Sequence, residues 1–98
     1  MSDEPKTDET QQLQIQIDDD VAQGVYANLA TVTHNPTEFV LDFIYVQPQQ
    51  PRAKVRARVI TSPQHIKRLL GALQENVARF EARFGPIKAE GGPESPVH

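Results

Sequence analysis

Arg52, Lys54, Arg56 and Arg58 alternate along RAKVRARVI, so an extended backbone would set all four cations on one face. His65, Lys67 and Arg68 follow, and no acid occurs between Asp42 and Glu75. Clustered positive charge is what a polyanion requires, and a two-stranded ribbon can enter a DNA major groove. The same stripe suits an ordinary solvated strand whose Lys and Arg discourage edge pairing. An acidic sequence pI near 5.5 and the lack of interleaved aromatics on that face favour this plainer reading. Nucleic acid is therefore the second expectation.

Other chemistry is sparse. The chain has no cysteine, which removes thiol nucleophiles, disulfides and thiolate metal sites. His34, His65 and His98 lie far apart, without the paired spacing of a metal-binding helix or loop. Glu38, Asp42, Glu75 and Glu81 show no pairing suited to acid and base roles, and no serine sits in a nucleophile-elbow context. Glu75 and Arg79 read as a surface pair one helical turn apart. Residues 62–68, SPQHIKR, can present free backbone N–H groups to a phosphate, but no glycine-rich loop precedes them and a plain helix cap accounts for Ser62. Tyr26 and Asn28 can line a small site, although a tyrosine anchored in the core is the commoner case. The expectation is a non-enzyme with no catalytic residues, cofactor or metal.

Ninety-eight residues at 38% apolar content fit one small domain. Residues 1–11 are polar and acidic and residues 88–98 are rich in Pro and Gly, so both are expected to be disordered and the domain to span 12–87. Seven acids (Asp3, Glu4, Asp8, Glu9, Asp18, Asp19, Asp20) face Lys6 alone in residues 1–20, whereas residues 21–87 carry eight bases and four acids. A net charge of −3 thus conceals an acidic arm on a basic body. No apolar run is long enough to span a membrane and the N-terminus does not read as a signal peptide, so the expected location is the cytoplasm, with no membrane partner.

The elements that must position these groups follow from periodicity. LQIQI (residues 13–17) alternates as a strand, GVYANLATVTH (24–34) is rich in Val and Thr and reads as a second, and a short helical turn within 20–28 stays open. The third strand is TEFVLDFIYVQ (37–47), with Phe39, Leu41, Phe43 and Tyr45 on one face and Val40, Asp42, Ile44 and Val46 on the other. RAKVRARVI is the fourth. A hairpin closing symmetrically about Gln49 would oppose Phe43 to Val55, Leu41 to Ala57 and Asp42 to Arg56.

After Thr61, Ser62 is a suitable N-cap, Pro63 fits the first helical position, and Gly85 with Pro86 marks a stop. Ile66, Leu70, Leu73, Val77, Phe80 and Phe84 recur at alternating spacings of four and three, a heptad seam. The fold class is therefore α+β: an antiparallel sheet of about four strands followed by one long C-terminal helix. A sustained 3.5 period suits packing along another helix, and this chain supplies only one. A core of this size without staple is marginal. A homodimer or higher oligomer is expected, with the seam residues and the second-face Val40 and Ile44 in the contact. The alternative is that the seam covers the sheet of its own chain.

Tyr26-Ala27-Asn28, the EFVLDF strand of residues 38–43 and the helix start SPQHIKRLLGAL of residues 62–73 together resemble a family of short bacterial proteins known as a domain of unknown function. The resemblance covers roughly residues 13–87 and carries no activity. The order of antiparallel strands and a long self-associating helix is similar, in architecture alone, to SecB-type export chaperones. The functional expectation is a non-enzymatic homo-oligomer that binds other proteins, with a chaperone-like holdase as its most concrete form. Nucleic-acid binding through the basic strand is the alternative.

Overall fold

A computed structural model describes residues 13–89. The chain forms α1 (Asp19–Ala22), β1 (Leu29–His34), β2 (Phe39–Val46), β3 (Ala53–Thr61) and α2 (Pro63–Phe84). This is an α+β chain: one three-stranded antiparallel sheet in the order β1-β2-β3, followed by the long helix. The expected disordered segments, residues 1–11 and most of 88–98, lie outside the described residues.

Local chemistry explains each boundary. Asn35 turns β1 into β2, because its Oδ1 accepts from the backbone N–H of Thr37 and of Glu38 at 2.9 Å each and from Thr37 Oγ1 at 3.0 Å. The next loop closes where Gln47 N–H donates to the carbonyl of Arg52 at 3.0 Å, with Pro48 and Pro51 confined between strands. Ser62 caps α2 by accepting from the His65 backbone N–H at 3.1 Å, and Pro63 occupies the first turn. Gly85 ends the helix at φ 98°, a conformation that favours glycine, and Glu81 holds the exit by accepting from Ile87 N–H at 2.9 Å.

The sheet differs from expectation at two points. Residues 13–17 form no regular element and join no strand ladder among the described residues, and β1 begins at Leu29 rather than Gly24. A short helical turn does form, as α1 at Asp19–Ala22, at the start of the 20–28 window and ahead of the second segment, whose residues 24–27 are not helical. The β2–β3 register also corrects the symmetric hairpin. Val46 opposes Ala53 and Ile44 opposes Val55, one step out from closure about Gln49. A bulge between Phe43 and Ile44 then leaves Arg56 unpaired, so that Phe43 opposes Ala57, Leu41 opposes Val59 and Asp42 opposes Arg58. Asp42 therefore meets Arg58, not Arg56.

Two mixed faces result. One carries Phe39, Leu41 and Phe43 with His34, Val32 and Ala30 of β1 and Thr61, Val59 and Ala57 of β3. The other carries Val40, Asp42 and Ile44 with Thr33, Thr31 and Leu29, and with Ile60, Arg58 and Val55. Every residue of β2 is half-buried, sheltered by its two neighbouring strands. No described residue is fully buried, because α2 does not lie down on either face. No helix among the described residues is long and apolar enough to cross a membrane.

Candidate interaction surfaces

Helix α2 presents its seam uncovered. Leu70, Leu73, Val77 and Phe80 are each between 43% and 54% exposed, and Phe84 is more open still. Ile66 at the start is partly sheltered. The Phe80 and Phe84 rings pack at a tilt of 45° with centroids 4.9 Å apart, as one helical turn permits. A shallow groove of ≈ 300 Å³ runs along the seam, lined by Leu73, Gln74, Val77, Ala78 and Glu81. Gly71 adds no side chain, and nothing lies within 4 Å of where its Cβ would stand. Glu75 and Arg79 form the i, i+4 pair at 3.7 Å on a fully solvated part of the helix, where such a pair contributes little.

On the sheet, Val40 and Ile44 share one face, and Ile60 and Val55 extend that apolar surface across β3. The lone acid between them is neutralised. Arg58 Nε donates to Asp42 Oδ1 at 2.6 Å and its Nη2 donates to Oδ2 at 2.9 Å, a two-pronged pair. The Arg58 hydrogen bond holds the Asp42 carboxyl below its ordinary pKa, and Asp42 in turn pushes the guanidinium of Arg58 up. An apolar face interrupted by a closed ion pair is less polar than its composition suggests.

The basic stripe does not survive as one face. The bulge sets Lys54 opposite Tyr45, on the side of Phe43, and sets Arg58 opposite Asp42 on the other side. Arg52, Lys54 and Arg56 remain together, lining a half-open concavity of ≈ 670 Å³ with Tyr45, Gln47, Pro51 and Ala53. Lys67 and Arg68 stand on α2 and do not line it. Sequence periodicity could not separate Arg58 from its neighbours, because an extra residue in one strand leaves no mark in an alternating pattern.

Tyr26 and Asn28 organise the sheet end rather than a pocket. Asn28 Nδ2 donates to the Val46 carbonyl at 3.1 Å, and Val46 N–H donates to Asn28 Oδ1 at 2.9 Å, while Asn28 N–H reaches the Ile44 carbonyl at 3.0 Å. The side-chain amide thus imitates a backbone and extends the β1–β2 ladder by one rung. Tyr26 meets Tyr45 edge to face at 6.2 Å and is 70% exposed, so it is not a core anchor. Among the described residues no three His, Cys, Asp or Glu side chains gather where a metal ion could be held.

No curated protein and no solved structure matches this chain. A family model does match, over residues 1–89, which include the Tyr26-Ala27-Asn28 element, the β2 strand and the capped start of α2. The chain belongs to the family described as Protein of unknown function (DUF3467).

Proposed function

We propose that this chain is a non-enzymatic homo-oligomer whose assembled surface binds other proteins. The observation that carries the reading is that no described residue is buried while a heptad seam runs exposed along α2. Ordering each residue costs about 1–2 kcal/mol of backbone entropy, and only apolar burial offsets that on the scale required. A chain with no fully buried residue among those described gains the missing burial from a partner. The seam is self-complementary, so a second α2 is its simplest partner: Leu70, Leu73, Val77 and Phe80 of two copies would interlock about a twofold axis. The Val40 and Ile44 face of the sheet stays available for a further copy or for a client.

In its most concrete form the oligomer is a holdase, capturing extended apolar segments of unfolded chains on that sheet face. Light scattering tests the assembly and aggregation of an unfolded client tests the activity. A monomer mass at micromolar concentration removes the oligomer; an unchanged aggregation rate at stoichiometric amounts, across several clients, removes the holdase.

A second reading is favoured by one observation. Arg52, Lys54 and Arg56 line the same concavity as the Tyr45 ring, which combines cations with a stacking surface as single-stranded nucleic acid requires.

A further inference from the structure

The two edges of the sheet are unlike. β3 carries Lys54, Arg56 and Arg58, and the bulge at Arg56 interrupts its ladder, so it has both the charge and the irregularity that discourage strand addition. β1, LATVTH, has neither. Its register is unbroken from Leu29 to His34, and no Asp, Glu, Lys or Arg occurs between Asp20 and Glu38. No described strand lies beyond it. An edge this regular and this neutral is shaped to accept another strand.

Hydrogen-bond alternation identifies the free groups. Asn35 N–H donates to the Glu38 carbonyl at 3.0 Å, one step beyond the His34–Phe39 pair. The N–H and C=O of Thr33 and Thr31 therefore turn toward β2, and those of Ala30, Val32 and His34 turn outward. Opposed residues of an antiparallel pair share a face, so two copies of β1 meeting about a twofold axis must centre on one residue. Centred on Val32, the pairing sets Val32 against Val32 and Ala30 against His34, and every outward N–H and C=O of the strand meets its complement. Centred on Thr31, it would send His34 to Asn28, whose N–H is already given to the Ile44 carbonyl at 3.0 Å.

The Val32 register also continues the side chains. Val32 opposes Leu41, which opposes Val59, so an uncharged apolar row would run through both sheets with the two Val32 side chains at its middle. Val32 is 54% exposed in a single chain. On the other face Thr31 meets Thr33 of the second copy, a pairing of short hydroxyl side chains that suits direct opposition. We infer that two copies join β1 to β1 about a twofold axis through Val32, making one continuous antiparallel sheet whose remaining edges are the guarded β3 strands. A second copy, rather than a foreign strand, is the occupant because the same outward groups supply both sides of the match. The inference rests on the reading that the chain self-associates, and it concerns a contact separate from the α2 seam.

The chain has no native cysteine, so single cysteines report the register. Full-length Thr31→Cys carrying a mass tag is mixed with full-length Thr33→Cys and oxidised mildly. The mixed 31–33 disulfide dimer should exceed either homodimer about tenfold, because these positions form a close pair without hydrogen bonds between them. Val32→Pro added to both partners removes an outward N–H and no bond to β2, and should lower that yield about tenfold. Protected Thr31 and Thr33 amides in the proline variant would show that β1 is still folded. Hydrogen exchange on the parent chain reads the contact independently: the Ala30, Val32 and His34 amides should be protected at high concentration and lose protection on dilution, whereas Thr31 and Thr33 keep theirs. A preferred 31–31 or 33–33 homodimer overturns the inference, as does a yield that Val32→Pro leaves unchanged. Free exchange at Ala30, Val32 and His34 in a sample that light scattering shows to be oligomeric also overturns it, while self-association through α2 stands. A monomer mass at every concentration removes the edge pairing together with the self-association on which it rests.

Discussion

Arg58 and Asp42 are joined by two hydrogen bonds, 2.6 and 2.9 Å long, across the β3–β2 ladder, and this pair rather than the expected Arg56–Asp42 pair fixes the register of the hairpin. Asp42 is the only acid of β2, and its side chain is just 16% exposed. The Arg58 hydrogen bond holds its carboxyl below the ordinary carboxylate value, opposed next by burial, with the Arg58 charge adding a smaller lowering effect. A carboxylate with a depressed native pKa contributes stability above its unfolded value, and that contribution is lost as pH falls through the native one. Asp42→Asn should therefore unfold at a lower urea midpoint than the parent at pH 7. The gap should close at pH values below the ordinary carboxylate range, once Asp42 of the parent is protonated. A gap that is the same at neutral and acid pH would remove the ion pair from the account. Arg58 stays charged throughout and adds no pH dependence of its own in this window.

Asn28 supplies a second test, at the opposite side of the sheet. Its amide makes one donor and one acceptor bond to the Val46 backbone, at 3.1 and 2.9 Å. Asn28→Ala removes both and should cost about 1–2 kcal/mol, from two bonds of ordinary net strength at a partly solvated site. Hydrogen exchange localises the effect: the Val46 amide should lose protection, whereas amides at the Phe39 end of β2 should keep theirs. Unchanged protection at Val46 would show that the rung contributes nothing. Asn28→Asp should be no better than Ala in neutral solution, because it retains the acceptor but points a carboxylate oxygen at the Val46 carbonyl.

What the sequence made legible was what is decided locally. Ser62, Pro63 and Gly85 announce the ends of α2 because caps depend on residues within one turn, and β2 announces itself by alternation. The bulge at Arg56 is invisible in sequence, since it depends on how many residues the 47–52 loop takes up and on which partner each strand residue finds. That single extra residue divides the basic stripe into a cluster of three and a lone Arg58. Asn28 stands in sequence as a polar residue among apolar ones, but its partner Val46 lies 18 positions away and no short-range pattern points there. The apolar second face of β2 was readable, and its relation to α2 was not: a heptad seam looks the same whether it covers its own sheet or another helix.

The α2 seam carries a prediction about assembly. Val77 is 43% exposed in a single chain and lies in the groove between Leu73 and Glu81, so a paired helix would bury it. Val77→Asp places a carboxylate in that contact without a cation to meet it, and the dissociation constant should rise about a hundredfold or more. Val77→Ala removes two methyl groups, keeps helix propensity, and should weaken association about tenfold without changing the far-ultraviolet dichroism of the helix at high concentration. Sedimentation over a concentration series distinguishes the two. Masses that match the parent for both variants would mean that α2 is not the contact.

The basic concavity makes the alternative function testable with the same chain. Arg52, Lys54 and Arg56 are gathered beside Tyr45, while Arg58 is engaged by Asp42, so the cations are unequal. Lys54→Glu with Arg56→Glu should abolish retardation of mixed single-stranded DNA and RNA in a low-salt gel shift, whereas Arg58→Gln should leave most of it. Three contacting cations per chain predict that log affinity falls with log salt at a slope of about −2 for single strands, doubling if two chains of a dimer engage one probe. The acids at Asp18, Asp19 and Asp20 compete for the same surface if they dock there, so replacing all three by Asn should tighten binding. Tightening by that variant and abolition by the double charge reversal would make the concavity a nucleic-acid site held closed by the chain's own acidic segment. No retardation by the parent or by the Asn variant would make it a protein contact alone.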